Sequence, residues 1–186
     1  MSRASQVIVL CEDKLHRTFV TRFLKQHGYM EREFRVQQCP GGTGAAEHFV
    51  RSRYPVLLKA CRARTAKTFL IAMIDADKGS VADHEKQLTE ACEAAGVPPR
   101  QHSDKVVHVI PRRAINTWLA FLAGGKVDEE TDYKREGYDY RRCESSISSL
   151  VRGLYETCAR NEVPRGAPPS LEQACREFGR IKDELR

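Results

Sequence analysis

Short, almost purely apolar runs alternate along this chain with longer stretches in which apolar residues return every three or four positions. A strand buried on both faces needs no polar side, whereas a helix on a sheet does, so the two periods together predict β-α-β units. Val7-Ile-Val-Leu10 is the first apolar run and predicts a buried strand that ends at Cys11-Glu12-Asp13. Leu15, Phe19, Val20, Phe23 and Leu24 then recur at helical spacing, which predicts a helix from Lys14 to Gln26 stopped by Gly28. Glu33 to Cys39 alternates weakly and reads as a second strand, followed by the loop Pro40-Gly-Gly-Thr-Gly44. A longer helix is expected from Ala45 into the Arg62 region, bent or interrupted at Pro55.

Thr68 to Ile74 predicts the third strand. The helix after Gly79-Ser80, capped by Ser80 or Asp83, runs to Ala95 and is closed by Gly96 and Pro98-Pro99. Lys105 to Ile110 predicts the fourth strand, and a helix starting at Pro111 carries Ile115, Trp118, Leu119 and Leu122 on one face before Gly124-Gly125. Residues 126–142 are polar and irregular, and Cys143 to Leu185 reads as two helices separated by Pro164 to Pro169. The order predicts an α/β fold over residues 1–125, a mainly parallel four-stranded sheet with helices on both faces. Residues 126–186 form a C-terminal helical extension in this reading. Trp118 shares a helical face with Ile115, Leu119 and Leu122, so it reads as a core residue before a base-stacking one.

Composition narrows the setting. The 186 residues are 41% hydrophobic and 30% charged, enough to bury a core without covalent staples. No apolar stretch approaches the roughly 20 residues that span a bilayer, and Met1 to Gln6 lacks the features of a signal peptide. The 7 cysteines are odd in number, evenly spread and free of C-x-x-C, which argues against a disulfide framework and a zinc site and for a cytoplasmic setting. The 6 histidines form no pair at metal spacing. The net charge of +6 is compatible with a polyanionic partner.

The candidate chemistry lies where apolar runs turn acidic. Phe69-Leu-Ile-Ala-Met-Ile-Asp75-Ala-Asp77 closes the third strand with two carboxylates, and Glu12 closes the first. Parallel strands deliver their C-terminal ends to one edge, where open α/β sheets place their ligands. Three carboxylates there suit a hard cation, Mg²⁺ or Mn²⁺. Lys78 beside the pair suits either a developing phosphate charge or plain solvation.

These segments resemble the Toprim domain found in topoisomerases, primases, OLD-type nucleases and small maturation nucleases. That family carries Glu after the first strand and Asp-x-Asp after the third, matched here by Glu12, Asp75 and Asp77. Val109-Ile-Pro111-Arg-Arg-Ala-Ile115-Asn-Thr-Trp118-Leu-Ala-Phe121 is similar to the "IP…IE-x-WL" segment of small Toprim-like proteins found beside ATPases in phage-defence loci. The resemblance covers residues 6–123. It implies a metal-dependent nuclease acting on DNA or RNA, with a separate ATPase partner, since this chain holds no P-loop. Glu12 would be the acid/base or a metal ligand, and Asp75 and Asp77 the metal pair. Three positions depart from the family: Asp13 stands where Gly is expected, His16 where a later acid is expected, and Asn116 where Glu is expected. One cation is therefore expected rather than two.

Basic residues cluster as Arg51 to Lys67 without an intervening acid, as Arg112-Arg113, and as Lys134, Arg135, Arg141 and Arg142 among Tyr133, Tyr138 and Tyr140. Arg62, Arg64, Lys67, Arg112 and Arg113 are the expected nucleic-acid contacts. The Gly41 to Gly44 turn lacks the lysine of a P-loop. The alternatives are a non-catalytic module binding nucleic acid or an ATPase, and a phospho-accepting receiver, which needs a lysine after a fifth strand. A homodimer through the C-terminal helices is compatible with the sequence.

Overall fold

A computed structural model describes residues 5–41, 46–134 and 144–185. Four strands, β1 (Gln6–Cys11), β2 (Phe34–Gln38), β3 (Thr68–Met73) and β4 (Val106–Val109), form one sheet in the order β2-β1-β3-β4. Every pairing is parallel, as the alternation of periods predicts. The helices are α1 (Lys14–Gln26), α2 (Ala46–Ala63), α3 (Val81–Ala94), α4 (Ile115–Leu122), α5 (Glu144–Ala159) and α6 (Pro169–Leu185).

Alternate strand residues serve two cores. Val7, Val9, Phe69, Ile71 and Met73 face α1, α4, α5 and α6. Ile8, Leu10, Leu70, Ala72 and Ile74 face α2 and α3. The sheet is thus covered on both sides, which explains why β1 and β3 read as unbroken apolar runs. Ile147, Val151, Leu171 and Phe178 of the C-terminal helices belong to the same cluster as α1. Trp118 is fully buried there, 5.8 Å from the Phe19 ring, and its indole N–H donates to Ser170 Oγ at 2.8 Å.

Four expectations need amendment. The helix expected from Pro111 begins only at Ile115. The carbonyls of Pro111 and Arg113 instead accept the N–H groups of Ala76 and Asp77, and Arg113 has φ 68°, which no helix accommodates. Helix α2 runs through Pro55 as one element. Ser80 and Asp83 are not alternative caps but the two halves of one capping box. Cys158 and Cys175 are joined as a disulfide between α5 and α6, where the cysteine pattern argues against a disulfide framework. An even spread of cysteines carries no information about which pair the fold brings together.

Candidate metal centre

In this strand order the chain leaves β1 towards β2 on one side and towards β3 and β4 on the other. The C-terminal ends of β1 and β3 therefore flank a topological switch point, the usual ligand crevice of open α/β sheets. Cys11 is in register with Met73, so Glu12 and the residues after Met73 emerge side by side. Past β3 the ladder continues through Ile74 N–H to Val109 O (3.1 Å) and Ala76 N–H to Pro111 O (2.9 Å). Ile74 and Ala76 point into the α2/α3 core, which turns Asp75 to the opposite side, towards α1.

There Asp75 meets His16. The His16 Nε2 and Asp75 Oδ1 are 2.9 Å apart, and Glu12 Oε2 accepts the Asp75 backbone N–H at 3.0 Å. His16 sits in the first turn of α1, fixed by its own N–H donating to the cap Asp13 Oδ1 at 2.9 Å. Its Nδ1 lies 3.7 Å from Glu12 Oε2. That nitrogen is buried and has no hydrogen-bond partner. Asp75 also accepts the Ile115 N–H at 2.9 Å on Oδ1 and the Lys134 ammonium at 3.2 Å on Oδ2. Ligand atoms of Glu12, His16 and Asp75 lie within 4.8 Å of one another. The orphaned Nδ1 and the two convergent carboxylates are donors of the type that hold a divalent cation, so the residues present fit one.

The charges perturb one another strongly. Burial pushes the Glu12 carboxyl up to about 7, with Asp75 adding to the rise and His16 opposing it. Burial works against the His16 cation, but Asp75, Asp13 and Glu12 outweigh it and raise the imidazole to about 9. Burial likewise opposes the Asp75 anion, and His16 and Lys134 together hold it below the usual carboxylate range. Desolvation raises Asp77, reinforced by Asp75 and Glu47. Such mutual shifts at a crevice are typical of sites that bind ions or exchange protons.

The expected triad is thus only partly assembled. Glu12 and Asp75 come together, but Asp77 does not join them. Strand alternation would put Asp75 and Asp77 on one side, yet Asp77 adopts φ 44°, and this left-handed turn ends the alternation. Asp77 instead lines a cavity of about 510 Å³ next to the centre, with Glu47, His84, Lys78, Arg113 and Lys134. Lys78 is exposed in that wall and makes no ion pair with a described residue. Arg112 donates to the carbonyls of Gly79 and Asp77 and to Glu130 Oε1 (2.9 Å), and Arg113 Nε donates to Glu130 O at 2.8 Å. Both arginines brace the turn around Asp77.

Arg62, Arg64 and Lys67 lie at the other end of the sheet, beside the start of β3. Arg62 is engaged by both Asp104 carboxylate oxygens (3.0 and 2.6 Å) and by the carbonyls of Pro98 and Pro99. Arg64 donates to Gln6 Oε1. Gly42, Thr43, Gly44, Arg135, Tyr138, Tyr140, Arg141 and Arg142 lie outside the described residues.

Two members of the centre escape the sequence reading. His16 reads there as a missing acid, whereas its i, i+4 spacing from Glu12 across a helix cap is the signal that it shares the acid's pocket. Lys134 gives no such signal, because it approaches from a polar loop 59 residues beyond Asp75. Asn116 is buried in the first turn of α4, where the backbone N–H of its neighbour Ile115 reaches Asp75.

No family model matches the chain, and no curated protein or solved structure matches it. No helix among the described residues is long and apolar enough to cross a membrane.

Proposed function

We propose that this chain is a divalent-cation-dependent phosphodiester hydrolase of Toprim type, acting on DNA or RNA. The observation that carries the reading is the Glu12–His16–Asp75 group at the switch point, two members buried and Glu12 half-buried, with an unpartnered imidazole nitrogen facing a second carboxylate. Glu12, His16 and Asp75 would hold the ion, which replaces the three-carboxylate set with one nitrogen and two oxygen donors. That mixed set suits Mn²⁺ better than Mg²⁺, which favours oxygen ligands throughout. A bound divalent cation supplies charge to phosphate oxygens and makes water a better nucleophile near neutral pH.

The rest of the work falls to the chain. The cavity beside the centre accepts the scissile phosphate, and Lys78 and Lys134 in its wall neutralise charge that develops on it. Asp77 and Arg113, paired through Asp77 N–H to Arg113 O at 3.0 Å, fix the shape of that wall. The nuclease would act with a separate ATPase, as the resemblance implies.

One observation favours a second reading, a non-catalytic module for nucleic acid or an ATPase: the Asp75 carboxylate already accepts from Ile115 and Lys134 and contacts His16. Cleavage of end-labelled DNA and RNA in Mn²⁺ or Mg²⁺ by the wild type, Glu12→Gln and Asp75→Asn separates the two. The hydrolase reading expects cleavage that both substitutions abolish. Binding without cleavage under all metal conditions supports the module.

A further inference from the structure

A mainly basic surface flanks the centre on the side away from the Asp77 cavity. Helix α1 contains no acidic residue; of its cations Lys14 and Arg17 are exposed and Arg22 and Lys25 half-buried. Solvated helix faces usually mix signs through i, i+4 pairs, which α1 cannot form. Lys14 and Arg17 also sit in the first turn, where the helix dipole disfavours cations. Those four side chains line a groove of about 510 Å³ against the end of β2, whose other lining includes Gln38 and the one carboxylate, Glu31. Glu31 is paired with Lys25 at 2.6 Å at the far end.

We infer that this groove holds the sugar-phosphate backbone of one nucleic-acid strand and leads it to the Glu12–Asp75 edge. The inference rests on the phosphodiesterase reading for the direction of the strand, though not for the binding itself. Lys14 lies two residues from Glu12, so the groove opens at the centre. From Lys14 to Lys25 the helix rises about 16 Å at about 1.5 Å per residue, which matches about five stacked nucleotides at about 3.4 Å each. The cations line a concavity rather than a projecting ridge, so they suit a single strand more than insertion into a duplex groove. Of the residues expected to bind nucleic acid, Arg62, Arg64 and Lys67 are at the opposite end of the sheet, with Arg62 and Arg64 already engaged there.

The test is read without cleavage. Fluorescence anisotropy of labelled single-stranded DNA and RNA is measured in EDTA between about 50 and about 200 mM salt. The fourfold variant Lys14→Gln, Arg17→Gln, Arg22→Gln, Lys25→Gln is expected to bind at least tenfold more weakly. Its log–log salt slope should fall by about 1–2, at about 0.7 per lost phosphate contact, because Lys25 is paired with Glu31. Arg64→Gln with Lys67→Gln should stay within about twofold of wild type, by the same phosphate-contact rule. Thermal unfolding checks that each variant is folded, and photocross-linking of a bromouridine strand to the wild type should map to residues 14–38. Cross-links elsewhere, unchanged affinity in the α1 variant, or binding of anionic vesicles but not of either oligonucleotide would overturn the inference. Binding that depends on α1 without any cleavage in Mn²⁺ keeps the groove and removes the hydrolase.

Discussion

The two ends of the sheet hold similar residue types in opposite states. At the N-terminal end of β3, Arg62 is matched by Asp104 and two carbonyls, and Arg64 by Gln6. Asp104 also accepts the Gln101 N–H at 2.7 Å, so its charge serves local structure. At the C-terminal end, buried His16 and Asp75 meet half-buried Glu12, and one imidazole nitrogen has no partner. An ion pair whose hydrogen-bonding capacity is filled behaves as a clamp, whereas buried charges in conflict leave capacity for a ligand. A basic run in the sequence therefore says little until its carboxylates are located.

The largest expected effect separates the two ends by stability. Asp75→Ala leaves the His16 imidazole and the Ile115 N–H without their acceptor in the interior. Urea unfolding in EDTA should show a loss of about 3–5 kcal/mol. An unchanged midpoint would mean that the cluster is not a coupled unit. Arg62→Ala should cost less, about 1–3 kcal/mol, because its charged hydrogen bonds lie nearer solvent. It should leave cation binding unchanged by calorimetry, and a change there would merge the two ends into one system.

A smaller effect comes from a second buried histidine. His108 on β4 has its Nε2 2.8 Å from the Tyr54 hydroxyl, and burial, with Arg100 and Arg180 nearby, holds its imidazole well below the usual range. The folded chain then refuses a proton that the unfolded chain accepts below about pH 6.5, so stability is present above that pH and is lost as the pH falls. The slope should approach about 1.4 kcal/mol per pH unit between pH 6 and 5 relative to His108→Gln. Equal slopes for the two proteins would contradict a neutral His108. The smallest effect is at Lys78, exposed in the cavity wall. Lys78→Ala should change stability by under about 0.5 kcal/mol while slowing any phosphodiester cleavage. A large stability change would place Lys78 in the architecture instead.

Much of the fold was legible because its signals are local. The apolar runs at Val7 and Phe69 and the spacing from Leu15 to Leu24 located β1, β3 and α1 within a residue or two. The start of α4 was not legible, because the carbonyls of Pro111 and Arg113 bond to residues 35 and 36 positions earlier. The site was half legible for the same reason. Glu12 and Asp75 follow from strand ends alone, whereas the turn of Asp77 into the neighbouring cavity needs its backbone angle, and including His16 and Lys134 needs the tertiary approach of α1 and a distant loop. The Cys158–Cys175 pair depends on the docking of α5 against α6, which spacing does not reveal.

The central claim is that Glu12, His16 and Asp75 form one cation site. Isothermal titration of the metal-free protein with Mn²⁺ tests it most directly, with release of protons followed in buffers of different ionisation enthalpy. One ion per chain should bind, with proton release as His16 gives up its proton, and Glu12→Gln and His16→Ala should each lose that binding. Absence of saturable binding, or binding that both variants retain at full strength, would contradict it.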